Sequence, residues 1–250
     1  MENEKRIYGD KLEINTLKTK ELYNERAERL SQMQSPYTSV LLGDQNPEYA
    51  DKWDAEEKKK ILPFLDVKKT SSILDLGCGI GRWAETLIPL CGDYTGVDFS
   101  SGMIRNAAER CRLLMNENIQ FICSSVQNYL ENLNTDKKYN VIIISYVCMY
   151  INDSEMKQVM NKLLQHASGD CTIYFIDTIA LEKRLTLNEI YSQALKSNYS
   201  AIYRTIDELK YYYSCLEEKG FSEISSGFMP KFNNEKAFSE TDRYYTILKN

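Results

Sequence analysis

One segment of the chain gathers residues whose types and spacing can hold a ligand: Ile73-Leu74-Asp75-Leu76-Gly77-Cys78-Gly79-Ile80-Gly81-Arg82-Trp83. An apolar run ends in an acid, three glycines follow at alternate positions, and a helical pattern begins at once. A tight strand-to-helix turn needs backbone angles closed to most residues, and missing side chains let a ligand approach the main chain. The spacing separates several chemistries. A dinucleotide fingerprint would place its third glycine where Arg82 stands, and the phosphate loop of nucleotide hydrolases would need a Gly-Lys-Ser/Thr that the chain lacks. A second acidic end follows in Gly96-Val97-Asp98-Phe99-Ser100, 21 residues beyond Gly77. At the end of the next strand of a doubly wound sheet, Asp98 sits beside the glycine turn and accepts hydrogen bonds from ribose hydroxyls. Together these features point to an adenosine-like ligand, although packing alone would also account for a glycine turn.

Positioning such a site requires a parallel sheet, and the pattern from Ser71 onward supplies one. Short apolar runs at Ser72–Leu76, Tyr94–Asp98, Ile119–Cys123, Tyr139–Ser145 and Thr172–Asp177 alternate with helical spacing at Trp83–Leu90, Met103–Met115 and Glu155–Ala167. Thr186 with Glu189, and Thr205 with Glu208, stand in capping-box register and predict two further helices. Phe221–Ile224 and Tyr244–Leu248 complete a count of seven strands. Residues 1–66 are polar, with helical patterns at Leu12–Leu30 and Tyr49–Leu65 around a Pro- and Gly-broken loop, and read as a cap rather than a separate unit.

Composition bounds the partners. Thirty-one basic against 36 acidic residues give a net charge of -5, the wrong sign for a protein that grips a phosphate backbone. No run approaches the ~18 apolar residues of a membrane span, and the N-terminus lacks the apolar segment of a secretory signal; the expectation is a cytoplasmic protein. Seven scattered cysteines without a Cys-x-x-Cys pair, and a single histidine, predict reduced thiols and no metal.

ILDLGCGIGRW followed by YTGVDFS resembles the class I S-adenosylmethionine-dependent methyltransferases, over roughly residues 50–250. The resemblance implies an α/β fold: a doubly wound, mostly parallel seven-stranded sheet whose last strand is antiparallel, with helices on both faces. It implies a methyltransferase domain at 67–250 with a capping insertion at 178–204, and residues 1–66 as the lid. It implies S-adenosylmethionine as cofactor and S-adenosylhomocysteine as product. Asp75, Gly77, Cys78 and Gly79 would surround the amino acid end, Asp98 the ribose, and Phe99 and Met103 the adenine. Ser125 stands where the family often has an aspartate for the adenine amino group, and the main chain of Val126 would meet the ring. Ser145 and Tyr146 would face the departing methyl.

Near Met149, where many small-molecule relatives carry a histidine, this chain has none, and His166 reads as a surface or capping residue. Without a histidine base, an amine or oxyanion that is nucleophilic on its own suits the site. Three residues are nominated on the acceptor side: Tyr150, Asp177 (base or structural turn residue) and Arg204 (holding an anion, or pairing with Asp207 or Glu208). Tyr23, Tyr37, the Leu41–Gln45 loop and the tyrosines between Tyr191 and Tyr213 either line an acceptor pocket or pack helices. The expected acceptor is a small polar molecule, such as a sugar, a surface-glycan precursor or its phosphate-type substituent. Methylation of RNA or protein is the alternative, disfavoured by the charge and by the lack of an NPPY-like motif; a non-catalytic cofactor-binding subunit is another. The oligomeric state has no signal in the sequence.

Overall fold

The computed structural model describes residues 5–41, 47–134, 136–192, 195–232 and 239–250; residues 42–45 of the Leu41–Gln45 loop lie outside them. The chain begins with β1 (Arg6–Tyr8), α1 (Thr16–Glu28), α2 (Thr38–Leu41) and α3 (Pro47–Leu65). The alternating region follows: β2 (Ser72–Leu76), α4 (Arg82–Leu87), β3 (Asp93–Asp98), α5 (Ser101–Arg110), β4 (Ile119–Cys123), α6 (Val126–Asn132), β5 (Tyr139–Ser145), α7 (Asp153–His166) and β6 (Ala167–Ala180). Then come β7 (Leu185–Ser192), β8 (Ser197–Tyr203), α8 (Ile206–Glu217), β9 (Ser222–Phe228) and β10 (Thr241–Lys249).

Seven strands form one sheet in the order β4-β3-β2-β5-β6-β10-β9, in which only β10 runs against the rest. Strand order reverses between β2 and β5, and α/β sheets place ligands outside the carboxyl ends of the strands at such a switch point. Alternation along β2 sorts the core. Leu74 and Leu76 face one apolar layer with Met156, Val159 and Leu163 of α7 and Leu209 and Leu216 of α8. Ile73 faces the other, with Trp53, Ile61 and Leu65 of α3 and Trp83 and Leu87 of α4. Asp75 therefore points to the α3–α4 side.

The capping-box reading holds at Thr205, whose hydroxyl accepts from Glu208 N–H while the Glu208 carboxylate accepts from Thr205 N–H. It fails at Thr186 and Glu189, which lie in β7. Leu185 and Leu187 there are buried beside Tyr199 and Ala201 of β8, so pairing and apolar burial override the local signal. With β1, these strands make a second, three-stranded antiparallel sheet in the order β1-β7-β8, unforeseen in the sequence. Its register sets Arg6 opposite Leu187 and Tyr8 opposite Leu185.

α1 is tied to the body by specific polar contacts. Asn24 Oδ1 accepts from Ser100 Oγ at 2.7 Å, and Asn152 bonds both the N–H and the carbonyl of Ile14, at 2.9 and 3.1 Å. The fully buried Arg26 donates to the carbonyls of Thr38 and Ser39. No described helix is long and apolar enough to cross a membrane.

Candidate functional site

The glycine turn leaves β2 with φ of 77° at Gly77 and 54° at Gly79, the left-handed region in which a Cβ is strained. Protein neighbours add a second reason. A Cβ on Gly77 would lie 2.1 Å from Val147 Cγ2, and one on Gly79 2.9 Å from Val40 Cγ1. The turn is closed from the next strand: Gly77 N–H and Cys78 N–H both donate to Val97 O, and Gly79 N–H donates to Asp98 Oδ2 at 3.0 Å. The other oxygen of Asp98 accepts from Ser100 N–H at 2.8 Å. Burial nevertheless outweighs these two bonds and lifts the Asp98 carboxyl to about 6.

Beside this turn opens a cavity of about 550 Å³ at the carboxyl ends of β2 to β5. One stretch of wall is Asp75, Gly77, Cys78 and Gly79; a second is Asp98 and Phe99; a third is Ser125 and Val126, where Ser125 caps α6 by accepting from Asn128 N–H. Ser145 and Tyr146 close the end of β5. Tyr146 has φ of 58°, uncommon for a bulky residue and found chiefly where surroundings enforce it. Here Tyr146 N–H donates to Ile176 O and its hydroxyl accepts from Trp53 Nε1 at 2.9 Å.

Under the Asp75 side lies a buried charge network that the residue pattern alone did not reveal. Arg82 Nη1 donates to Asp54 at 3.1 Å, and Nη2 donates to Glu57 at 2.9 Å and Ser145 Oγ at 2.7 Å. Tyr174 also donates to Glu57 Oε1, while Glu57 Oε2 is buried without a hydrogen-bond partner among the described residues. Asp75 receives the Tyr94 hydroxyl, yet burial pushes its carboxyl up to about 7. A cation and an acid thus share one end of the cavity wall, a match for a zwitterionic amino acid group. In the sequence Arg82 stands out only as the residue at the place of a dinucleotide fingerprint's third glycine, and its acidic partners Asp54 and Glu57 carry no signal of their own.

The wall beyond Asp98 is aromatic. Tyr23 of α1 and Tyr150 line it, their rings 5.7 Å apart edge to face, with Phe99 6.0 Å from Tyr23. Their hydroxyls begin a row: Tyr23 to Tyr150 at 2.8 Å, Tyr150 to Tyr199 at 3.1 Å, and Tyr203 donating to Tyr199 at 3.3 Å. Burial raises the pKa of all four, so they are neutral phenols. Lys20 and Glu155 stand on the same cavity.

A family described as a methyltransferase domain matches residues 73–169. Phosphoethanolamine N-methyltransferase 3 of Arabidopsis thaliana is 29% identical over 126 residues, 49% of this chain and 24% of that protein. Malonyl-(acyl-carrier protein) O-methyltransferase of Bacillus cytotoxicus is 27% identical over 179 residues, 68% of this chain and 59% of that one. The structure of Haemonchus contortus phosphoethanolamine N-methyltransferase 1, in complex with phosphoethanolamine and S-adenosylhomocysteine, superimposes with a TM-score of 0.65 at 15% identity. It covers 94% of this chain and 50% of that one. Residues 73–169 therefore resemble a methyltransferase domain. The chain spans about a quarter of the length of the phosphoethanolamine relatives it matches.

Several of the candidate residues lie off the cavity. Met103 is fully buried in a small cluster with Ala27 and Ile80, where α1 crosses α5, and so is not on the wall. Asp177 is buried behind it, accepting from Met149 N–H at 3.3 Å. Arg204 pairs with Asp153 and not with Asp207 or Glu208. It is 1% exposed, and its other donors go to the carbonyls of Cys148 and Ile151. His166 is buried, not at the surface; its Nδ1 lies 3.1 Å from Lys137 O at the amino end of the sheet, opposite the cavity. Among the tyrosines, Tyr213 stacks on Phe175 in the core, Tyr37 bonds Glu85, and Tyr191 and Tyr211 are exposed.

Proposed function

We propose that this chain transfers the methyl group of S-adenosylmethionine to a small polar acceptor, releasing S-adenosylhomocysteine. The observation that carries the reading is a single cavity with an adenosine-type cradle on one side and a phenol wall on the other. The residues fit the cofactor: Asp98 for the ribose, Asp75 and Arg82 for the ammonium and carboxylate, and Phe99, Ser125 and Val126 for the adenine. When bound, the cofactor supplies a methyl group already activated on a sulfonium. The protein's part is then to place the acceptor and exclude water. α1 contributes to both by closing the cavity with Tyr23, Lys20 and Leu17.

Tyr23 and Tyr150, held neutral by burial, orient an acceptor by hydrogen bonds and are poor bases. An acceptor that is already nucleophilic, a free amine or an oxyanion, suits this wall. The relatives' names include both nitrogen and oxygen methylation of small groups. Enclosure under α1 and the acidic balance favour a small molecule over a nucleic acid.

Calorimetry with S-adenosylhomocysteine tests the cradle, and methyl transfer from radiolabelled S-adenosylmethionine to a panel including phosphoethanolamine, simple amines and sugar phosphates tests the acceptor. Binding followed by label in one small-molecule class is expected. Absence of heat at about 1 mM ligand, beyond ordinary cofactor affinities, would overturn the reading.

A further inference from the structure

Two residues that the sequence placed among the reacting groups meet at one short turn. Residues Cys148–Tyr150 form a single 3-10 turn at the end of β5, and Tyr150 projects from it to the cavity. Arg204 Nη1 donates to Cys148 O and Nη2 to Ile151 O, both at 2.7 Å, so one guanidinium brackets Met149 and Tyr150. Asp177 takes the Met149 N–H between those carbonyls. Arg204 is in turn fixed by Asp153, through Nε at 2.9 Å and Nη2 at 2.7 Å, and Asp153 also receives the Tyr212 hydroxyl and pairs with Arg184. On the far side of the same turn, Asn152 holds the main chain of Ile14, which leads into α1 and Tyr23.

We infer that Arg204 and Asp177 are positioning residues, which set the turn carrying Tyr150 and thereby the phenol wall against which the acceptor rests. A buried ion pair is weak evidence of stability, because desolvation offsets its Coulomb gain and an apolar residue often packs as well. Its distinctive contribution here is directional: a planar fork reaches two carbonyls at once, which neither lysine nor an apolar side chain can do. Neither residue lines the cavity, so each acts through Tyr150. The inference rests on the reading of Tyr150 as an acceptor-side residue, but the placement of Tyr150 is measurable without an acceptor.

The test is fluorine NMR on full-length protein labelled with 3-fluorotyrosine, with the Tyr150 signal assigned by its loss in Tyr150→Phe. Arg204→Ala and Asp177→Ala are each expected to shift or broaden that signal while leaving the distant Tyr129 signal in place; Arg204→Lys should restore it in part. Exchange of the Tyr150 amide should quicken about tenfold or more in Arg204→Ala, as for a lost charge-assisted bond. If Arg204→Ala does not fold, Arg204→Lys and Asp177→Ala decide. An unmoved Tyr150 signal in folded variants would reject the positioning role. Calorimetry with S-adenosylhomocysteine on wild type runs beside it: no heat there would reject the methyltransferase reading, whereas the fluorine shifts would still report on the turn.

Discussion

Asp98 serves two neighbours at once, bridging the glycine turn and the start of α5 through Gly79 and Ser100. Asp98→Ala should therefore weaken S-adenosylhomocysteine binding by about 1–3 kcal/mol, through lost charge-assisted bonds and a loosened cradle, as calorimetry would read. His166→Ala should do the reverse, lowering the thermal midpoint through an unpaired Lys137 carbonyl and a buried void, while cofactor affinity stays the same. The contrast reflects what residue types reveal. Glycines at alternate positions and an acid ending an apolar run have few other uses, so Gly77, Gly79 and Asp98 were legible. Asp177 and Arg204 were legible only as charges near the correct edge, because burial and partner choice depend on side chains distant in sequence. Arg82 was missed for that reason: its partners Asp54 and Glu57 come from α3.

At the scale of elements, the sheet could be read because apolar alternation and helical spacing repeat in β2 to β6 and their helices. β7 could not, since Thr186 and Glu189 satisfy a helix-start rule that the pairing with β8 overrides. α1 is the element on which the cavity most depends for closure, and Asn152 is its anchor at the start of the strap. Asn152→Ala should make the segment between Ile14 and Thr16 more susceptible to limited proteolysis, with S-adenosylhomocysteine restoring part of the protection. Equal cleavage rates in the variant and wild type would show that the strap is held elsewhere.

Across the whole molecule, three buried carboxyls share an electrostatic cost. Burial lifts Asp75 and Asp177 to about 7 and Asp98 to about 6, above the ~3.9 of an unfolded aspartate. Between roughly pH 4 and 7 the folded chain thus binds more protons than the unfolded one at these sites, and their contribution to stability falls as pH rises through that window. Asp177→Asn should gain thermal stability relative to wild type on moving from about pH 5 to about pH 8. A parallel pH course for the two proteins would contradict this. The small sheet has a consequence of another kind. β1 is synthesised before β2 to β6, yet its partner β7 follows them. The seven-stranded body can begin to condense while β1 still lacks a neighbour, and pairing across so long a separation is intrinsically slow. Synthesis therefore completes the strands that carry the glycine turn before the small sheet is made, and a nascent chain passes through a stage in which Tyr150 still lacks its β8 partner Tyr199.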